Sequence, residues 1–164
     1  MNNRTYTGFV TELKSNEVFV FGSNLDGFHG AGAAGYASFG VPGNQWRKFD
    51  YANQSNGWKG KWNVKGVGEG LQEGTEGKSY ALPTVNRIQD RDNYPKEKIR
   101  ESIARLYECA RQHPELDFLI AYRHDGTRLL NGYSIEEMAE MFGNPKYIPD
   151  NIVFEVEFYK LIVP

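Results

Sequence analysis

The chain has one cysteine, Cys109, in 164 residues. That excludes an internal disulfide framework and a multi-cysteine metal site, and makes a reducing cytoplasm the expected compartment. Histidine is scarce as well, and His29, His113 and His124 lack the spacing of a metal-ligand set. The opening segment, MNNRTYTGFVTELKSNE, holds no apolar stretch of signal-peptide length, and no run elsewhere is long and apolar enough to span a bilayer. Neither export by a signal nor membrane insertion is expected. A charge excess is also missing, since 19 basic against 21 acidic side chains leave −2. Long nucleic acid therefore finds no electrostatic footprint here. A single phosphate is not excluded, because backbone N–H groups bind one without net positive charge.

What the chain does have is an ordinary globular composition, with 40% hydrophobic and 24% charged residues, and 18 glycines. Its length suits one domain. EVFVFG (17–22), KSYALPTV (78–85) and DFLIAYR (117–123) read as buried strands, continuous enough to be covered on both faces. YTGFVTEL (6–13) reads as a short edge strand and NIVFEVEFYKLIV (151–163) as an alternating closing strand. Between them, GAGAAGYASFG (30–40) predicts a helix of small residues closing at Gly40. YPKEKIRESIARLYECARQHPE (94–115) predicts the longest helix, with Pro95 in its first turn and Ile99, Ile103, Leu106 and Ala110 on one face. SIEEMAEMFG (134–143) carries a Ser134/Glu137 capping box. Residues 43–77, rich in glycine and holding Trp46, Trp58 and Trp62, read as an insertion without regular structure. Alternating strands and helices predict a single α/β domain, a three-layer α/β/α sandwich with a mixed sheet.

Two familiar motifs nearly fit. Gly30, Gly32 and Gly35 have G-x-G-x-x-G spacing, but seven residues separate Gly22 from Gly30, where a dinucleotide fold has the strand run directly into the glycines. Gly77-Lys78-Ser79 resembles the end of a phosphate-binding P-loop, yet position 72 is glutamine and a strand follows the lysine. The physical content outlasts both failures. A buried strand delivers Gly22-Ser23-Asn24 to one end of the sheet, Gly27, Gly30 and Gly32 permit close backbone approach, and a helix begins. Ligands of open α/β folds collect at such strand ends.

Asn24 suits a ribose hydroxyl or an amide, or alternatively caps a turn. His29 can titrate near neutrality or donate to a phosphate, or it can be structural. With Asp26, these two residues are the candidate catalytic groups; His124 and Asp125 are further loop-borne acid–base groups. Asp125-Gly126 reads as a turn in preference to a His124–Asp125 pair. Ser23 and Ser79 have no legible base. Cys109 reads as a buried thiol, His113 as a complement to its helix dipole, and Glu136, Glu137 and Glu140 as a solvated face. The tryptophans suit either a lid stacking on a base or a satellite core.

EVFVFGSNLDGFHGAGAAGYASFG, GVGEGLQEG, SYALPTV and NGYSIEEMAEMFG, in that order from about Thr7 to Phe142, resemble a family of bacterial and phage proteins related to macro domains. The resemblance implies a mixed sheet between helices and a cleft for ADP-ribose or a related NAD-derived nucleotide. It implies that Asn24 faces the distal ribose and that the run from Gly27 to Ala34, including Gly30, Ala31, Gly32 and Ala33, lies along the diphosphate. A second phosphate loop would be YRHDGTRLLNGYS (122–134), with Gly126 and Gly132. That loop is longer and more charged than the family pattern, so Arg123, His124 or Arg128 could replace backbone amides there. No cofactor or metal is implied. Hydrolysis of an ADP-ribosyl or phosphate linkage is left open. The competing expectation is a non-catalytic module that captures a protein partner, in phage–host conflict, through the tryptophan-rich insertion.

Overall fold

The computed structural model describes residues 5–27, 29, 32–40, 60–64, 66–86, 94–126, 129 and 131–163. Six strands make one sheet: β1 (Thr5–Tyr6), β2 (Glu17–Asn24), β3 (Gly70–Glu73), β4 (Lys78–Val85), β5 (Asp117–Ile120) and β6 (Ile152–Glu155). Their order is β1-β6-β5-β2-β4-β3. Only the β3–β4 pair is antiparallel. The helices are α1 (Gly32–Phe39), α2 (Lys96–Gln112), α3 (Ile135–Phe142) and α4 (Val156–Ile162), with a 3-10 turn at Pro145–Tyr147. An α/β fold with a mixed, mostly parallel sheet is what the sequence predicts.

The alternation of β2 sorts the core into two. Val18 and Val20 point to one face, where they join Ile99, Leu106, Met138 and Phe158 from α2, α3 and α4. Phe19 and Phe21 point to the other face and meet Ala37 of α1, together with Trp62. The second face is thin because α1 is built of glycine and alanine and packs close. Asn151, just before β6, fastens α2 to the sheet: its Nδ2 lies 2.9–3.0 Å from the carbonyls of Ala110, His113 and Leu116.

Three expectations are corrected. The edge strand expected at 6–13 stops at Tyr6, and Gly8, at φ 78°, turns the chain away from an extended path. The closing strand expected at 151–163 is β6 followed at once by α4. Glu155, only 4% exposed, ends the strand by accepting hydrogen bonds from the N–H groups of Glu157 and Phe158, and Phe158 and Ile162 then bury one helical face. The stretch 43–77 is not wholly irregular, because Gly70–Glu73 forms β3 against β4. Residues 41–59, with Trp46 and Trp58, lie outside the described residues. Trp62 takes the satellite-core role: it is 1% exposed and packs on Phe19 with ring centroids 5.0 Å apart.

Candidate functional site

The topology singles out one place on the carboxyl edge of the sheet. From β2 the chain passes through α1 toward β4, whereas from the adjacent strand β5 it passes through α3 toward β6, in the opposite direction. Right-handed crossovers then require α1 and α3 on opposite faces, as the two core clusters have them. Connections that diverge from neighbouring parallel strands leave a crevice outside their carboxyl ends, the usual ligand position in open α/β sheets. By that rule the position to consider here is between the segment after Asn24 and the segment after Ile120.

The β2 rim is Ser23, Asn24, Leu25, Asp26 and Gly27. The Asn24 carbonyl accepts from Gly27 N–H at 3.1 Å and closes a tight turn, for which Gly27 adopts φ 70°. Asn24 and Asp26 are half-buried and Leu25 is exposed. The approach to this loop comes in part from the protein itself. Residues 66–68 cross it: Gly66 N–H donates to Gly27 O at 3.1 Å, and Ser23 Oγ donates to Gly68 O at 2.7 Å. A methyl group on Gly27 would sit 2.3 Å from the Gly66 carbonyl carbon, so glycine at 27 is required by main chain against main chain. Gly22 has a different reason. A Cβ there would lie 2.8 Å from Tyr122 Oη and 2.9 Å from Thr84 Oγ1, which are hydrogen-bonded to each other across the strand. Burial pushes the Tyr122 phenol up to about 12.

His29 belongs to the loop but not to its open surface. It is 2% exposed, its ring stands edge-on to Phe21 with centroids 4.9 Å apart, and Nε2 lies 3.3 Å from the Val67 carbonyl. That contact fixes the proton on Nε2, and Nδ1 is buried without a partner. Desolvation drives its pKa down to about 4, so the ring is neutral at pH 7 and does not titrate near neutrality as expected. Gly32 opens α1 at φ 62° and is exposed, and Ala33 packs against the smaller core. Gly30 and Ala31 lie outside the described residues.

The β5 rim is held from below by Asn131, whose Nδ2 donates to Thr84 O at 3.3 Å at the carboxyl end of β4, and by Tyr133 Oη, which donates to Tyr94 O at 2.7 Å. Gly126 and Gly132 both take positive φ, 86° and 81°. Arg123 pairs with Asp125 at 2.7 Å and lies over the Phe9 ring, and His124 faces Glu136 at 3.7 Å. Arg123 and His124, two of the three side chains expected to replace backbone amides, thus have acidic neighbours of their own; Arg128 lies outside the described residues. A His124–Asp125 pair does not form.

Beside the β2 rim, on the α2 side, an open depression of about 350 Å³ is lined by Leu25, Asn86, Tyr94, Lys98, Glu101 and Arg105. Arg105 is anchored there by Glu69 at 2.6 Å. Both serines considered as nucleophiles donate to carbonyls, Ser23 as above and Ser79 Oγ to Trp62 O at 2.6 Å. Among the described residues no three acidic, histidine or cysteine side chains cluster to hold a metal, and no helix is long and apolar enough to cross a membrane. Burial raises the pKa of the Cys109 thiol, and His113 Nδ1, 2.9 Å from the Cys109 carbonyl, closes the end of α2. Sequence reasoning did not foresee that residues 66–68 cross the β2 turn or that Tyr122 packs against Gly22. Their sole signal was glycine at 66 and 68, since the contacts join segments more than 35 residues apart.

No family model, no curated protein and no solved structure matches the chain.

Proposed function

We propose that the crevice between the β2 and β5 rims binds ADP-ribose or a related NAD-derived nucleotide, and that the chain is a macro-domain-like module. The observation that carries this reading is the position of the Ser23–Asn24–Gly27 turn where the neighbouring parallel strands β2 and β5 send their connections apart, toward β4 and β6 respectively. A mixed sheet with helices on both faces is also what the macro-domain resemblance implies. The half-buried Asn24 amide offers a donor and an acceptor for a ribose hydroxyl. Binding is the activity this geometry supports best. Ser23 and Ser79 have committed hydroxyls and His29 is neutral and enclosed, so neither a serine nor the histidine of this rim supports a catalytic reading.

Calorimetric titration with ADP-ribose, AMP and NAD tests the proposal, and absence of heat with all three overturns it. Asn24→Ala is expected to weaken the ligand that binds about tenfold, because a ligand hydroxyl loses its partner. The Gly27 N–H to Asn24 carbonyl hydrogen bond of the turn is made by main chain and does not depend on the amide that this change removes.

A further inference from the structure

Residues 66–70 cover the β2 turn, and none of them is buried. Their flanks are another matter. Trp62 and Asn63, on one side, are 1% and 0% exposed, and Gln72, on the other, is buried in β3. The two flanks are also tied to each other, because Val64 N–H donates to the Gln72 Oε1 atom. A segment whose ends are joined can move as one piece without disturbing either anchor.

Polar contacts hold the segment down. Gly66 N–H donates to Gly27 O at 3.1 Å, His29 Nε2 donates to Val67 O at 3.3 Å, and Ser23 Oγ donates to Gly68 O at 2.7 Å. Beyond them the Glu69 carboxylate accepts from Arg105 Nε of α2 at 2.6 Å. In this position the segment lies directly on the turn. A Cβ at Gly68 would sit 2.8 Å from Leu25 O and 2.9 Å from Asn24 O, and one at Gly27 would meet Gly66. Main chain that a ligand of the turn has to approach is therefore covered by the protein's own main chain. The covering has little to secure it, since segments with few buried apolar contacts open at low cost. It also encloses His29 Nδ1 without a partner, and lifting Val67 lets water reach that ring.

We propose that residues 66–70 are a strap over the β2 turn, latched to α2 by the Glu69–Arg105 ion pair, and that release of the strap admits a ligand to the main chain of Asn24–Gly27. The admission of a nucleotide rests on the reading above; the opening of the strap does not. The latch suits a reversible closure, because both side chains reach solvent, at 51% exposure for Arg105 and 32% for Glu69, and a pair of that kind is weak.

Amide hydrogen exchange at Gly66 reads the opening in the protein without ligand, since that N–H is bonded to Gly27 O in the closed position. Glu69→Gln removes the latch and should speed Gly66 exchange about two- to fivefold while the amides of β4 keep their wild-type rates. Gly66 exchange that is unchanged in Glu69→Gln, or that follows the β4 amides in both proteins, overturns the strap. ADP-ribose should bind Glu69→Gln tighter by the factor that exchange gains, because the fraction competent to bind rises by that factor. Faster exchange with unchanged or weaker ADP-ribose affinity overturns the admission role while the nucleotide site stands. A wild-type protein that binds no nucleotide removes the nucleotide reading and the admission role together, and the exchange rates still decide whether the strap opens.

Discussion

His29 shows how one side chain's surroundings reverse the chemistry its type suggests. Placed among glycines, it reads as a titrating loop histidine; enclosed against Phe21 and Val67, it has a pKa of about 4 in place of 6.5. Between those values the unfolded chain binds a proton that the folded chain does not, so stability falls as pH drops through that window and His29 adds no further slope below it. The gap corresponds to about 3 kcal/mol. Urea unfolding at pH 7 and pH 4.5 should therefore show a smaller loss of stability on acidification for His29→Gln than for the wild type. Equal losses would mean that the buried ring is not what charging disrupts. No sequence signal separates the two environments, because enclosure is supplied by residue 67, far along the chain.

Elements were legible where one local signal decided them. β2, β4 and β5 are continuous apolar runs, α2 has an apolar face and a proline start, and α3 has its capping box in full: Ser134 Oγ accepts from Glu137 N–H while Glu137 reciprocates. Lys96 adds an ion pair at 2.7 Å that holds the Glu137 carboxyl at about 2. Ser134→Ala should cost about 1 kcal/mol and speed hydrogen exchange in the first turn of α3; unaltered exchange there would show that the cap contributes nothing. α4 was misread because NIVFEVEFYKLIV alternates and also places Phe158 and Ile162 four apart, so the two periods compete. A glutamate cap decided between them, and glutamate is not among the favoured capping residues. β3 was missed because only Gln72 of its four residues is buried. The Asn24 turn was legible as strand, glycine and helix, whereas its partners 66–68 and Tyr122 were not, since no local pattern encodes them.

At the scale of the whole molecule, the two faces of the sheet are unequally supported. Among the described residues, three helices and a large cluster cover one, while the buried cluster on the other is Phe19, Phe21, Ala37, Ala81 and Trp62. The Trp62 main chain also joins β4 to α1, its carbonyl accepting from Ser79 Oγ and its amide N–H donating to Ala37 O. Trp62→Ala should cost about 3–5 kcal/mol, a large part of the roughly 5–15 kcal/mol stability of a typical domain. A denaturation midpoint close to that of the wild type would show that the thin face does not depend on this ring.

The crossing of Gly27 by Gly66 couples the histories of two distant codons. With the main chain of Gly66 and Val67 resting where a side chain at 27 would begin, position 27 cannot accept a methyl group while residues 66–68 keep their course. A descendant with any larger residue at 27 must therefore have rerouted the later segment, so divergence at 27 is expected to arrive together with change at 66–68.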